Sequence, residues 1–148
     1  MTAETTLRLA RDFENIVAIK EASGNIGQMD EIIKNKPEGF DVISGDDGIT
    51  FPLITLGAVG VISVLGNAFP AEFSLMNRLA LQGDYDKALP IHHKFAEMCN
   101  LLFVDGNPAG VKAMLNIMGL CENKLRLPLV PAREATCEKL RAAWQGLK

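Results

Sequence analysis

The stretch Ile16-Val17-Ala18-Ile19-Lys20-Glu21-Ala22-Ser23-Gly24-Asn25, residues 16–25, decides the fold. It begins with four apolar residues, becomes polar at Lys20, and leads into a segment with helical apolar spacing. A short apolar run of this kind is typical of a strand that is buried on both faces of a parallel sheet. We therefore predict a strand followed by a crossover helix.

The same arrangement occurs twice more, with apolar runs at 40–44 and 59–64. The first of these precedes Asp46 and Asp47, which can cap a helix from about residue 48 to Leu56, ended by Gly57. The second precedes a helix that opens at Pro70 and closes at Gly83. Strands that alternate with helices predict a parallel α/β architecture with the helices on one side of the sheet.

Local signals define the helix after residue 25. Asn25 is placed to cap its first turn, Gln28 is in capping-box position, and Pro37 and Gly39 stop it. Spacing predicts four residues on its inner face: Ile26, Met29, Ile32 and Ile33. The helix after Pro70 is predicted to bury Phe73, Met76, Leu79 and Ala80 in the same way.

Helices are also predicted before and after the strands. A leading helix is expected over 3–13, a long helix to about Val104 that contains Pro90, and others over 108–118 and 133–145. Asn107 and Pro108 are expected to be the cap and the first residue of the helix over 108–118. Residues 125–131 are expected to form an extended link. We accordingly divide the chain into a strand-bearing part, 1–83, and a helical region, 84–148.

Composition excludes several classes of protein. The formal charge of -3 comes with no basic stripe, which argues against nucleic acid. Cys99, Cys121 and Cys137 are far apart and odd in number, which favours a reducing cytoplasm. About 18 uninterrupted apolar residues are needed to span a membrane, and the sequence has no such run. We expect a cytoplasmic protein with neither nucleic acid nor membrane as partner.

Lys20 is the first candidate for chemistry. It follows an apolar strand, and ligands of parallel α/β proteins bind at the carboxyl ends of strands. A lysine that loses its hydration becomes a neutral amine able to attack a carbonyl and form an imine. The spacing fits a snorkelling surface lysine equally well.

The other candidates carry weaker signals. Ser44-Gly45-Asp46-Asp47 ends the second strand and would let backbone approach a small substrate, although Asp47 fits a helix cap better. His92 and His93 are adjacent on a predicted helix, where their side chains diverge, so packing or surface roles fit better than a metal site. Phosphate-binding and metal-binding motifs are missing from the sequence, so we expect no cofactor and no metal.

Five segments taken together resemble the dihydrodipicolinate synthase family of pyruvate-dependent class I aldolases, which also includes N-acetylneuraminate lyase. They are Ile19-Lys20-Glu21-Ala22-Ser23-Gly24-Asn25, Ser44-Gly45-Asp46-Asp47, Gly60-Val61-Ile62-Ser63-Val64, Asn107-Pro108 with Val111-Lys112, and Leu125-Arg126-Leu127-Pro128-Leu129. The resemblance covers nearly the whole chain. It implies a partial (β/α)8 TIM barrel, strands six to eight with their helices, plus a carboxy-terminal helical region.

The resemblance also implies roles for three residues. Lys20 would be the Schiff-base lysine on strand six, Gly45 a substrate-binding residue at the end of strand seven, and Ile62 a residue of strand eight whose carbonyl faces the active site. In the family the lysine condenses with pyruvate, and the resulting enamine attacks L-aspartate semialdehyde in lysine and diaminopimelate biosynthesis.

Full members of the family carry five further strands before the equivalent of residue 1, including a tyrosine relay and an arginine for the substrate carboxylate. The resemblance therefore implies a truncated, split or partial form of a family member, or a domain that acts with a complementary amino-terminal half, with very slow or no turnover by this chain alone. The unpaired strand edges also predict a homo-oligomer. Two alternatives stay open: an N-acetylneuraminate lyase or keto-deoxy-sugar aldolase of the same family, and a nonenzymatic half-barrel that only associates through its exposed strand edges.

Overall fold

The structure is a computed structural model that describes residues 1–147. It divides the chain into two compact units. Unit 1 contains residues 1–63 and 75–89, and unit 2 contains residues 64–74 and those from 90 onward.

Unit 1 begins with alternating helices and strands. In chain order these are α1 (Ala3–Asp12), β1 (Ala18–Glu21), α2 (Ile26–Asn35), β2 (Asp41–Ser44), α3 (Thr50–Leu56) and β3 (Gly60–Val61). Thr2 caps α1 through a bond from the Thr5 amide, and Asn25 caps α2 through a bond from the Gln28 amide. The predicted leading helix and the predicted Asn25 cap are confirmed.

The three strands form one sheet in the order β1-β2-β3, and both pairings are parallel. Lys20 is in register with Ile43, and Ile43 with Gly60. The predicted parallel α/β architecture is confirmed.

One face of the sheet packs against α1 and α2. Val42 of β2 is fully buried in a cluster with Leu7 of α1 and Ile32 of α2, and Ile19 of β1 packs against it. Met29, on the same helix as Ile32, joins Leu53 of α3 in a second cluster. Burial of these side chains, at about 1.5–3 kcal/mol each, fixes which face of the sheet the helices cover.

Several details in this unit differ from the prediction. Ile26 is 42% exposed, so it is not on the inner face of α2. Asp46, not Asp47, is the cap after β2, because its side chain accepts from the Gly48 amide while Asp47 lies buried inside the first turn. That turn is a 3-10 helix over Asp47–Ile49, and α3 starts only at Thr50, ending at Gly57 as predicted.

The third strand is shorter than its apolar run at 59–64. It covers Gly60–Val61, because β2, its hydrogen-bonding partner, ends at Ser44, whose carbonyl accepts the Ile62 amide. A short 3-10 helix over Leu65–Asn67 follows.

Four more helices complete the described chain: α4 (Pro70–Leu81), α5 (Tyr85–Leu101), α6 (Ala109–Ile117) and α7 (Glu134–Leu147). α4 buries Phe73, Met76 and Ala80, as predicted, and ends where the amide of Gly83 bonds to Ala80 and that of Asp84 to Leu79. Pro90 lies inside α5, as its position predicted.

Two expectations in unit 2 are wrong. Pro108 occupies the cap position of α6 without a side-chain bond, and Asn107 lies outside the helix, since the first turn is closed by backbone bonds to Gly106 and Pro108. The link at 125–131 is not fully extended, because the Leu129 amide bonds to the Arg126 carbonyl in a turn. The division into 1–83 and 84–148 stays a prediction, and its last residue, Lys148, lies outside the described residues.

Candidate active site

Lys20 lies on the face of the sheet opposite to α1 and α2. Successive strand residues point to opposite faces, and Ile19 packs toward the helices, so Lys20 points away from them. It is the penultimate residue of β1 and is exposed. The amine is therefore on the open face of the sheet, at the carboxyl end of its strand, as the sequence predicted.

Gly45 lies beneath the stem of Lys20. Its amide donates to the Glu21 carbonyl at 2.8 Å, which continues the β1–β2 ladder by one residue. A Cβ at this position would lie 2.8 Å from Lys20 Cε and 2.6 Å from Ala22 Cβ, closer than real Cβ atoms approach. Only glycine therefore fits beside the Lys20 stem without displacing it.

Ile62 follows β3 on the same open face. Its amide donates to the Ser44 carbonyl at 2.9 Å, and its side chain is 51% exposed. The structure thus brings the three predicted site residues, Lys20, Gly45 and Ile62, to the carboxyl ends of three neighbouring strands.

A buried hydroxyl pair supports the loop that contains Gly45. Ser44 and Thr50 are fully buried, and the Thr50 hydroxyl lies 2.9 Å from that of Ser44 and 2.8 Å from the Asp46 carbonyl. The Ser44 hydroxyl also donates to Asp46 O at 3.0 Å. These bonds hold the turn after β2 from behind, on the side away from Lys20.

Glu21 is a residue at this site that sequence reasoning did not single out. It is 5% exposed and points toward α2, where its Oε2 accepts from Gln28 Nε2 at 2.9 Å and its Oε1 from the Ser23 amide at 2.6 Å. Burial acts to raise the pKa of this carboxyl group, but the hydrogen bonds from Ser23 and Gln28 outweigh it, so the pKa lies below its ordinary value. The sequence signal that could have pointed to Glu21 is Gln28. The capping-box pattern predicts that the Gln28 side chain bonds to Asn25, whereas in the structure it bonds to Glu21.

The two histidines lie next to each other in α5. The rings of His92 and His93 lie 5.5 Å apart at an angle of 47°, and burial lowers the pKa of His92. Within residues 1–147, no group of three or more acidic, histidine or cysteine side chains is arranged to hold a metal ion. None of the described helices is long and apolar enough to cross a membrane.

Comparison with known proteins decides the family. The sequence profile of the Dihydrodipicolinate synthetase family matches residues 1–146. The chain belongs to this family. It is 80% identical over 148 residues to the 4-hydroxy-tetrahydrodipicolinate synthase of Phocaeicola vulgatus, and 75% identical over 147 residues to that of Parabacteroides distasonis.

Solved structures of the family show the same fold. A dihydrodipicolinate synthase from Acinetobacter baumannii, crystallised in complex with pyruvate, matches 99% of this chain with a TM-score of 0.94 and 37% identity. The likeness confirms the predicted part of a (β/α)8 barrel with carboxy-terminal helices. The chain spans 50% of the Phocaeicola relative and 50% of the Acinetobacter chain, so it corresponds to about half of each.

Proposed function

We propose that this chain provides the Schiff-base lysine of a 4-hydroxy-tetrahydrodipicolinate synthase. Lys20 attacks the C2 carbonyl of pyruvate and forms an imine with loss of water. Loss of a proton from C3 gives an enamine, and C3 then attacks the aldehyde carbon of L-aspartate semialdehyde. The observation that carries the proposal is the position of Lys20 on the open sheet face, directly over Gly45.

The surroundings of Lys20 suit a small keto acid. Because Gly45 has no side chain, the Lys20 stem lies directly against its backbone, and Ile62, whose side chain is 51% exposed, supplies an apolar wall. A small carbonyl compound that enters here meets an amine, backbone groups and one apolar side chain. Family relatives are named for the synthase reaction, and one is described in complex with pyruvate.

We propose further that turnover requires a segment that covers the open face. Lys20 is exposed on this face, and imine formation needs the neutral amine, which loss of hydration favours. Positioned proton transfer contributes about a hundred- to ten-thousandfold to reactions of this kind. The one tyrosine of the chain, Tyr85, lies at the start of α5 and packs edge-on against Phe51, so we assign it no role in proton transfer at Lys20. A second protein segment or a further copy of the chain would complete the site.

Complementation tests this proposal. The chain is mixed with a separately produced segment from the Phocaeicola relative that carries the barrel strands preceding the matched region, and pyruvate consumption is followed with L-aspartate semialdehyde. We expect turnover in the mixture, slow or no turnover by the chain alone, and loss of turnover with Lys20→Arg. Lys34→Arg, on the exposed side of α2, is the matched control and should keep activity.

Three results would contradict the proposal or part of it. Turnover that survives Lys20→Arg would place the nucleophile elsewhere. Turnover with the acceptor aldehydes of N-acetylneuraminate lyase or keto-deoxy-sugar aldolases, but not with L-aspartate semialdehyde, would keep Lys20 and change the substrate. A mixture that binds but never reacts, with no pyruvate adduct on the chain, would favour an association module.

A further inference from the structure

We infer that Glu21 is a positioning residue for Lys20. Its carboxylate, on the reverse side of the sheet, and its backbone carbonyl, within the sheet, together fix the position of Lys20. The inference rests on the proposed role of Lys20. It assigns a function to a buried acidic residue that does not itself face the substrate.

The first step is the placement of the two neighbours. Lys20 and Glu21 are consecutive in β1, so their side chains point to opposite faces, Lys20 to the open face and Glu21 toward α2. Any shift of Glu21 along or across the strand therefore moves the Cα of Lys20 directly.

The second step is that Glu21 bonds to three parts of the site. Its carboxylate binds the Ser23 amide in the loop after β1 and the Gln28 side chain in α2. Its backbone carbonyl accepts the Gly45 amide at 2.8 Å, in the turn that lies under the Lys20 stem. The same Gln28 amide group lies 3.3 Å from the Met1 carbonyl, so the contact extends to the residues before α1.

The third step is the choice of residue type. Both partners of the carboxylate are hydrogen-bond donors, and an ionised carboxylate accepts at both oxygens. A glutamine at position 21 has one accepting oxygen, and if this oxygen accepts from the Ser23 amide, the glutamine NH2 group faces the Gln28 Nε2 donor. Gln28 can accept from that NH2 group only by turning its amide over, which gives up its bond to the Met1 carbonyl. A buried carboxylate whose two oxygens both accept hydrogen bonds holds its neighbours in one arrangement. A buried side chain with only one of these bonds does not.

The test uses Glu21→Gln, which has nearly the same shape. Reductive trapping of pyruvate with borohydride is measured on the full chain, with and without the complementary segment. We expect the rate of labelling at Lys20 to fall by about ten- to a hundredfold, as for a misplaced catalytic group. Amide hydrogen exchange at Ser23 and Gly45 should become faster in the same variant.

Two further variants separate positioning from folding. Combining Glu21→Gln with Gln28→Glu restores complementarity, since the new amide accepts from Ser23 and donates to the new carboxylate, and should recover most of the labelling rate. Gln28→Met removes one donor and leaves Glu21 intact, so it provides a second variant if the first does not fold. Ile32→Val destabilises the nearby core without touching Glu21 and should label at the rate of the unaltered chain.

The outcomes distinguish the two claims. If the unaltered chain labels at Lys20 while Glu21→Gln and Gln28→Met label equally fast, the positioning role is wrong and the proposed function stands. If the exchanged pair stays as slow as the single variant, the hydrogen-bond pattern is not the cause, and the inference fails. Absence of labelling at Lys20 in the unaltered chain overturns the proposed function and this inference with it.

Discussion

The stem of Lys20 passes over Gly45 so closely that no methyl group fits between them. A Cβ on Gly45 would lie 2.8 Å from Lys20 Cε and 3.1 Å from Lys20 Cγ. The same Cβ would lie 2.6 Å from the Cβ of Ala22, which cannot rotate away. The glycine at the end of β2 therefore determines the path of the lysine at the end of β1.

Gly45→Ala should displace Lys20 and loosen the sheet. Overpacking of this kind costs about 1–3 kcal/mol of unfolding free energy, and the rate of pyruvate trapping should fall with it. Chemical denaturation and borohydride labelling measure the two effects. Gly60→Ala is the matched control, since no described atom lies within 4 Å of a Cβ there, and its stability should change by less than about 0.5 kcal/mol. Equal behaviour of the two variants would refute the contact.

Gly110→Ala should be more damaging than any change at the candidate site. A Cβ at Gly110 would lie 2.1 Å from the carbonyl oxygen of Leu102, and a backbone atom cannot move aside as a flexible side chain can. We expect a loss of about 3 kcal/mol or more, or failure to fold.

Gly146→Ala provides the control for that variant. Gly146 lies in α7, where no described atom is within 4 Å of the added Cβ, so the change should stabilise the helix by up to about 1 kcal/mol. Thermal melting of both variants checks the pair. A Gly110→Ala variant as stable as the parent would show that the described approach of Leu102 is absent in solution.

Much of the fold could be predicted from the sequence because its signals are local. The apolar run before Lys20, the Asn25 cap and the Gly83 stop each depend on residues close in the chain, and the structure has all three. The extent of β3 could not be predicted in this way, because it depends on where its partner β2 ends.

The candidate site was predictable only in part. Lys20 and Gly45 stand out at the ends of apolar runs, but the contact between them depends on the register of two separate strands. Glu21 was missed because an acidic residue beside an exposed lysine suggests a solvated position. The burial of Glu21 depends on its hydrogen bond with Gln28, a residue of α2 that packs against the end of β1.

Asp105 should give the protein a pH-dependent part of its stability. Hydrogen bonds from the Arg133 side chain, then Thr136 and the Arg133 amide, lower the pKa of Asp105 from 3.8 to about 2. Because the pKa is lower in the folded state, Asp105 stabilises the folded protein at pH values above its ordinary pKa. This stabilisation is lost as the pH falls from about 4 toward 2. Asp105→Asn should lower the melting temperature at pH 7, and the difference from the parent should shrink across that window.

A surface pair provides the comparison for Asp105. Glu122 and Lys124 are both more than three-quarters exposed, and exposed ion pairs contribute little. Glu122→Gln should therefore leave the melting temperature unchanged, both at pH 7 and in the acidic window in which Asp105 titrates. A pH-independent effect of Asp105→Asn would show that its bonds to Arg133 do not contribute through ionisation.

The isolated chain should associate in solution. Three large apolar side chains near the sheet, Val17, Val59 and Ile62, are 60%, 43% and 51% exposed. Exposed apolar groups beside open strand edges favour association. Sedimentation should show a mass that rises with concentration and falls when the complementary segment is added. A monomer mass at all concentrations, without binding of a hydrophobic dye, would contradict this.

Reduction of the pyruvate adduct tests the central claim most directly. The full chain is treated with pyruvate and borohydride, with and without the complementary segment, and digested, and the modified peptide is identified by mass spectrometry. We expect one modified lysine, Lys20, with labelling that requires pyruvate, increases with the segment and disappears in Lys20→Arg. Labelling at Lys34 or Lys112 in place of Lys20, or undiminished labelling of Lys20→Arg, would contradict the account.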